Sequence, residues 1–340
     1  MGKKVLVVGG NGFGRHHVGL LTGAYGTRDI FSDVDEVFLS RTDEPSAIAQ
    51  ARALSDGDLE VEVNGVKIDS PEDLARLVTE YRFDLVSIAT PSDTHLAYAY
   101  AALRSGEGMV LLEKPAAPAI GDNSSYNAIE ELREFDGRIG LELPFAVVSD
   151  VIENQECENS LASHMRGGSV HIYWRTGGND RDILSNLGPH PLSLALPLLG
   201  DDRDMIRYKV TPMRKEGNVL EGKLELYFKY GGPTPFRTIS ISLSYGDPLM
   251  GIEIDRSGCC EGGNYFIQID GNNNRIFSIG NTPLSEFQPG SGDTPILEVV
   301  NPLATVLRDA LDKRPVTGFK EMLFIQQQLE YLAGYKPNSD

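Results

Sequence analysis

The chain opens on a short apolar run, Val5-Leu6-Val7-Val8, that leads straight into Gly9-Gly10-Asn11-Gly12-Phe13-Gly14. So short a run, rich in β-branched side chains, cannot make a buried helix and reads as a central parallel strand covered on both faces. An apolar helical pattern, Val18, Leu20 and Leu21, follows the glycines. Strand, glycine-rich turn and helix in that order are the context of a dinucleotide-binding fingerprint. Without side chains at the turn the backbone can approach a pyrophosphate, and the helix N-terminus offers it N–H groups and a positive dipole end. The spacing departs from the usual one. Read from Gly9 it is Gly9-x-Asn11-x-x-Gly14, with asparagine in place of the second glycine; read from Gly10 it is Gly10-x-Gly12-x-x-Arg15, which loses the third. The first reading is preferred, because asparagine tolerates left-handed backbone angles better than other residues with a side chain.

Val34 to Leu39 read as the second strand, and Ser40-Arg41-Thr42 end it. A nucleotide-binding fold of this kind places an acidic residue here when it binds NAD, to take the ribose 2′-hydroxyl. Ser40 holds that place, with Arg41 beside it. A carboxylate would repel a 2′-phosphate, whereas Arg41 can pair with it and lay its guanidinium on the adenine, so NADP(H) is expected in preference to NAD(H).

Ser70-Pro71-Glu72-Asp73 is a helix start with a serine cap, proline in the first position and acids in the first turn. Leu85 to Ala89 is a further buried strand, ending in the loop Thr90-Pro91-Ser92-Asp93-Thr94-His95; an Ala-rich helix follows. Val110-Leu111-Leu112 is another strand and ends in Glu113-Lys114-Pro115. Strands alternating with helices to about residue 120 predict an α/β domain with a doubly wound parallel sheet over 1–120. The pattern then changes over 121–340. A helix is expected at 126–135 and a strand at 140–147. Further strands are expected at 169–174, 206–213, 219–230, 236–245, 250–255, 264–270 and 274–279. Partial alternation and short Gly- or Asn-containing connections suit an antiparallel sheet with one covered face, hence an α+β domain. Ile183 to Leu199 is the helix expected among these strands, and helices near 296–312 and 321–334 close the chain.

A net charge of −18 would repel a nucleic acid, so none is expected as partner. No run approaches the roughly 20 apolar residues of a membrane span, and the run after Lys3-Lys4 is too short for a signal peptide. Three cysteines, Cys157, Cys259 and Cys260, without framework spacing suggest reduced thiols and a cytoplasmic protein; they form no metal signature, and no metal site is expected.

Lys114 follows directly on a strand's carboxyl end, where such folds place ligands; a lysine held there and partly desolvated suits proton exchange with a hydroxyl. In Asn186-Leu187-Gly188-Pro189-His190-Pro191-Leu192-Ser193, Asn186 and His190 lie four apart and share one face if helical. His190 can relay a proton or bond a substrate hydroxyl. Trp174 and Arg175, with Arg181 and Asp182, stand just before this segment as candidate pocket residues. His16, His17, His164 and His171 have no constellation around them, and His16 and His17 are expected to pack on the first helix.

The glycine turn, Thr90-Pro91-x-x-x-His95, Glu113-Lys114-Pro115 and Gly188-x-His190 occur in an order and at separations that resemble the glucose–fructose oxidoreductase / inositol dehydrogenase (Gfo/Idh/MocA) family. The resemblance covers nearly the whole chain. It implies a Rossmann domain followed by an open, mostly antiparallel sheet that builds dimers or tetramers, with terminal helices that can pack back on the first domain. It implies NAD(P)-dependent hydride transfer on sugars, polyols or related carbonyl compounds. Carried over, Lys114 is the catalytic proton donor or acceptor and His190, with Asn186, assists at the substrate oxygen. Lys114, Trp174, Arg175, Asn186 and His190 would bind the substrate. The cofactor would touch Gly9, Gly10, Asn11, Gly12, Phe13, Gly14, Ser40, Arg41, Thr42, Thr90, Pro91, His95, Glu113 and Lys114. The chain departs from the family at Asn186 and Ser193, where acids are common, and at Asn11. A reductase of imines or non-sugar carbonyls on the same scaffold suits the missing acid, and a non-enzymatic NADP-sensing regulator is a further alternative.

Overall fold

The computed structural model describes residues 2–10, 13–41, 45–46, 49, 53, 61–147, 169–176, 183–195, 207–216, 219–227, 236–245, 249–255, 263–269, 275–280, 296–315 and 317–335. Cys157, Cys259, Cys260, His164, Arg181 and Asp182 lie outside the described residues. The chain divides into two units: Met1–Pro118 with Ser124–Pro144 and Leu303–Gln326, and Ala119–Asn123 with Phe145–Pro302 and Gln327–Asp340.

The first unit is built on a six-stranded parallel sheet, β1 (Lys3–Val8), β2 (Val34–Arg41), β3 (Glu62–Lys67), β4 (Leu85–Ile88), β5 (Met109–Glu113) and β6 (Ile139–Glu142). Its order, β3-β2-β1-β4-β5-β6, reverses direction between β1 and β4, and a crevice at such a point is where open α/β sheets bind ligands. Val5 to Val8 are at most 2% exposed, as expected of a central strand covered on both faces. The sheet is flanked by α1 (Gly14–Leu21), α2 (Pro71–Tyr81), α3 (His95–Ser105) and α4 (Ser124–Glu130). α2 begins as its sequence predicts: Ser70 Oγ accepts from the Asp73 N–H at 3.2 Å, Pro71 takes the first turn, and Arg82 ends the helix at φ +53°. The edge of β6 is covered by the segment before the last helix. There the Leu141 N–H donates to Thr317 O at 2.9 Å, and a Cβ at Gly140 would lie 2.8 Å from Pro315. Arg308, on α7 (Pro302–Leu311), reaches Asp33 at 2.6 Å, and Lys3 joins the same carboxylate at 3.1 Å. The Arg308 guanidinium holds the Asp33 carboxyl down at about 2.

The second unit holds an eight-stranded sheet, β7 (Ser169–Thr176), β8 (Arg207–Glu216), β9 (Val219–Tyr227), β10 (Phe236–Tyr245), β11 (Leu249–Asp255), β12 (Gly263–Ile269), β13 (Arg275–Gly280) and β14 (Ile296–Val300). Its order is β14-β13-β12-β11-β7-β10-β9-β8, and every pairing except β7–β10 is antiparallel. Two short helices, α5 (Ile183–Leu187) and α6 (Pro189–Ala195), pack on β10 and β7 respectively. They bury Ile172, Trp174, Ile241 and Leu243 together with Leu184, Leu187 and Leu192. The expected helix from 296 begins only at Pro302. Ile296-Leu297-Glu298-Val299-Val300 pairs with β13 instead, because its β-branched ends suit a strand and proline is tolerated at a helix start. The strand expected at 140–147 ends at Glu142, and Pro144 to Val147 make a helical turn. β3 was not expected, since Glu62-Val63-Asn64-Gly65-Val66-Lys67 is polar enough for an edge. The last helix, α8, spans Phe319–Leu332.

Candidate functional site

The turn after β1 is closed by glycines that admit no side chain. Gly9 has φ +100°, and a Cβ there would lie 2.4 Å from Ala89 O. A Cβ at Gly14 would lie 2.5 Å from Gly9 O, so the first turn of α1 sits directly on the end of the strand. The Gly10 N–H donates to Ser40 O at 3.1 Å and ties the turn to the end of β2. Among the described residues α1 has no side-chain cap and no acid in its first turn, a helix start that suits an anionic ligand. Phe13, at the cap position, packs its ring against His16 and His17 with centroids 5.3 and 5.5 Å apart. Asn11, Gly12 and Thr42 lie outside the described residues, as does the side chain of Arg41, whose backbone closes β2. Ser40 is buried. Glycines placed where a Cβ would collide, beside an uncapped helix, fit a dinucleotide.

The loops after β4 and β5 lie at the same carboxyl edge. Thr94 Oγ1 donates to Pro91 O at 2.7 Å and meets Thr90 Oγ1 at 2.8 Å. His95 opens α3 fully buried, with Nε2 2.6 Å from Thr90 O and Nδ1 2.8 Å from Pro115 O. Carbonyls only accept, so a neutral ring satisfies one of these contacts and a charged ring both. Burial acts against the charge and lowers the His95 pKa, while the two carbonyls oppose it. In either state His95 ties the Thr90-Pro91 loop to the residue after Lys114. The Lys114–Pro115 peptide is cis. Lys114 Nζ lies 3.7 Å from Glu113 Oε1, with both side chains 15% exposed. Burial pushes the Glu113 carboxyl up to about 7 against the pull of the Lys114 charge.

In the second unit the His190 ring stacks on Trp174, with centroids 4.8 Å and planes 21° apart, and Phe145 stands edge-on to both at 4.9 and 4.3 Å. Gly188 N–H to Leu184 O at 2.8 Å and Leu192 N–H to Gly188 O at 3.3 Å carry helical bonding across the join of α5 and α6. A Cβ at Gly188 would lie 2.4 Å from Leu184 O. Asn186 and Arg175 are partly exposed. Ser193 is buried and spends its hydroxyl on His190 O at 2.7 Å, inside its own helix.

One cluster was not foreseen. His17, expected to pack on its helix without partners, lies 2.7 Å from Ser87 Oγ and 2.8 Å from Glu142 Oε2. Those partners are 70 and 125 residues away, on β4 and β6, and no local spacing could signal them. Among the described residues no group of three or more His, Cys, Asp or Glu is placed to hold a metal ion. No helix among them is long and apolar enough to cross a membrane.

The oxidoreductase family with an NAD-binding Rossmann fold, Gfo/Idh/MocA, matches residues 3–134. That stretch is a Gfo/Idh/MocA nucleotide-binding domain. It marks the chain as an NAD(P)-dependent oxidoreductase. No protein of curated function matches the chain in sequence. Solved structures match it over nearly its whole length. UDP-N-acetylglucosamine 3-dehydrogenase from Acidithiobacillus ferrooxidans covers 98% of this chain and 97% of its own, at 16% identity and a TM-score of 0.62. An oxidoreductase domain protein from Kribbella flavida covers 98% and 96%, at 15% identity and 0.63. Levoglucosan dehydrogenase in complex with NADH and L-sorbose covers 97% and 96%, at 11% identity and 0.62. At these identities the likeness is one of fold.

Proposed function

We propose that this protein is an NADP-preferring dehydrogenase or reductase of sugars, polyols or related carbonyl compounds, with Lys114 as its proton donor and acceptor. The observation that carries the reading is the half-buried Lys114 at the carboxyl end of β5, on the edge that bears the glycine turn. Bound nicotinamide supplies or takes the hydride. Lys114 holds or receives the proton of the oxygen on the reacting carbon, and Glu113 and the His95-braced loop fix where its amine stands. His190, gripped by Trp174 and Phe145, binds a substrate oxygen, with Asn186 and Arg175 as further polar contacts. The neighbours that act on a sugar nucleotide and on an anhydrosugar support this substrate class. A second reading, reduction of an imine or a non-sugar carbonyl, is favoured by one observation: Asn186 and Ser193 put no carboxylate beside His190, and Ser193 is already bonded within its helix.

The test is Lys114→Ala, assayed with NADPH on whichever substrate a carbonyl and polyol screen reveals. Turnover is expected to fall by about 10²–10⁴-fold, the worth of a positioned acid–base group, with NADPH affinity nearly unchanged. A variant that turns over as the parent does, or a broad screen without turnover, would favour a cofactor-sensing regulator instead.

Cofactor preference has its own test. With Ser40 buried, Arg41→Ala is a milder probe than Ser40→Asp. It is expected to weaken NADPH by about 10-fold or more, on the 1.5–3 kcal/mol scale of a charged hydrogen bond, and to leave NADH unchanged. Fluorescence titration of both nucleotides measures it; equal losses would remove Arg41 from the argument.

A further inference from the structure

Ser87, His17 and Glu142 form a fully buried chain on β4, α1 and β6, with His17 Nδ1 2.7 Å from Ser87 Oγ and Nε2 2.8 Å from Glu142 Oε2. Hydroxyl, imidazole and carboxylate stand in the order of a nucleophile, base and orienting acid. Ser87 is wholly inaccessible, however, so no substrate reaches it. Neither His17 Nε2 nor Glu142 Oε2 has another partner among the described residues. Without a proton between them, Nε2 and Oε2 would set two lone pairs against each other in a buried space, so the pair shares one. Glu142 is also the register partner of Glu113 across β5 and β6. Partners on neighbouring strands stand about 4.8 Å apart and present their side chains to one face. Imidazole, carboxylate, carboxylate and ammonium thus follow one another along the strand ends, from His17 to Lys114.

We propose that His17 and Glu142 are a positioning pair for Lys114 that acts through Glu113: the pair sets how much negative charge stands against the Lys114 ammonium. This rests on the reading of Lys114 as the proton-exchanging group. Two adjacent buried carboxylates repel, and each cation beside them decides which one keeps its charge. The groups that face Glu113 are Lys114 from its own strand end, Glu142 from β6 and His17 from α1. His95, opening α3, faces Glu142. Burial raises the Glu113 pKa and Glu142 raises it further, while Lys114 and His17 lower it. Removing the charge of Glu142 therefore relaxes Glu113 downward, and removing the His17 ring pushes it upward. A cluster that merely packs the sheet has no reason to move Glu113 in opposite directions.

The experiment is a carbon-13 NMR titration of the full chain with glutamate labelled at its carboxyl carbon, between pH 4 and 9, with the Glu113 signal identified by its loss in Glu113→Gln. Glu142→Gln is expected to move the Glu113 midpoint down by about one pH unit and His17→Gln to move it up by a similar amount. Both variants leaving Glu113 unmoved, or moving it the same way, overturns the proposal. The parent chain decides the matter if a buried variant does not fold: a Glu113 midpoint near the ordinary 4.5 overturns the proposal without any substitution. The opposite shifts combined with a Lys114→Ala variant of full activity would keep the charge coupling and sink the function reading alone. A large loss in Lys114→Ala with an unmoved Glu113 would sink the pair alone.

Discussion

At Glu113 burial and charge oppose each other. Its carboxyl titrates at about 7 in the fold and near 4.5 in an unfolded chain, with burial as the main cause. The protonated form favours the folded state, so stability falls as pH rises from about 4.5 through 7. That interval corresponds to about 2–4 kcal/mol. Glu113→Gln cannot titrate, so its stability relative to the parent is expected to rise by this amount between pH 4.5 and pH 8. Urea unfolding midpoints at the two pH values measure it; a difference that does not vary with pH would contradict the assignment. The place of Glu113 beside Lys114 is legible in the sequence, but its raised pKa is not. The carboxylate that helps raise it, Glu142, lies 29 residues on, and only strand pairing makes the two neighbours.

At the scale of elements, the glycines of the first turn carry the strongest constraint. Gly14 fits because its missing Cβ leaves room for Gly9 O, and the resulting contact of α1 with β1 sets where the helix dipole points. Gly14→Ala is expected to cost about 1–3 kcal/mol by overpacking and to weaken NADPH and NADH alike. Chemical denaturation and nucleotide titration of the variant check both; unchanged affinity with lowered stability would mean that the helix end does not hold the phosphates. The segment 183–195 shows the opposite case. A continuous helix was expected from residue 183, and two short helices meet at Gly188, where a side chain would strike Leu184 O. Helical bonds still cross the join, so the four-residue spacing of Asn186 and His190 keeps its meaning. In β14, five apolar-rich residues shortly before a proline suit a helix start as well as a strand, and pairing with β13 decides for the strand.

For the whole molecule we propose a dimer or larger assembly through the sheet of the second unit, because the partial alternation of residues 219–245 gives strands with one apolar face. Ile241 and Leu243 on β10 are already buried within the single chain, and β9 pairs with β10 along its whole length. Multi-angle light scattering at micromolar concentration measures the mass; a monomer would contradict the assembly.

The sequence by itself determined the parallel sheet, the glycine turn, the place of Lys114 at a strand end and most strands of the second unit. Each is a local matter: a run of β-branched residues, a turn that admits no Cβ, a period of two along a strand. Tertiary structure alone decided that β6 extends the first sheet past residue 120, that His95 is shared between the carbonyls of Thr90 and Pro115, and that His17 meets Ser87 and Glu142. These depend on which strand lies beside which, and strand order is set by burial summed over the whole sheet rather than by the residues within any one window.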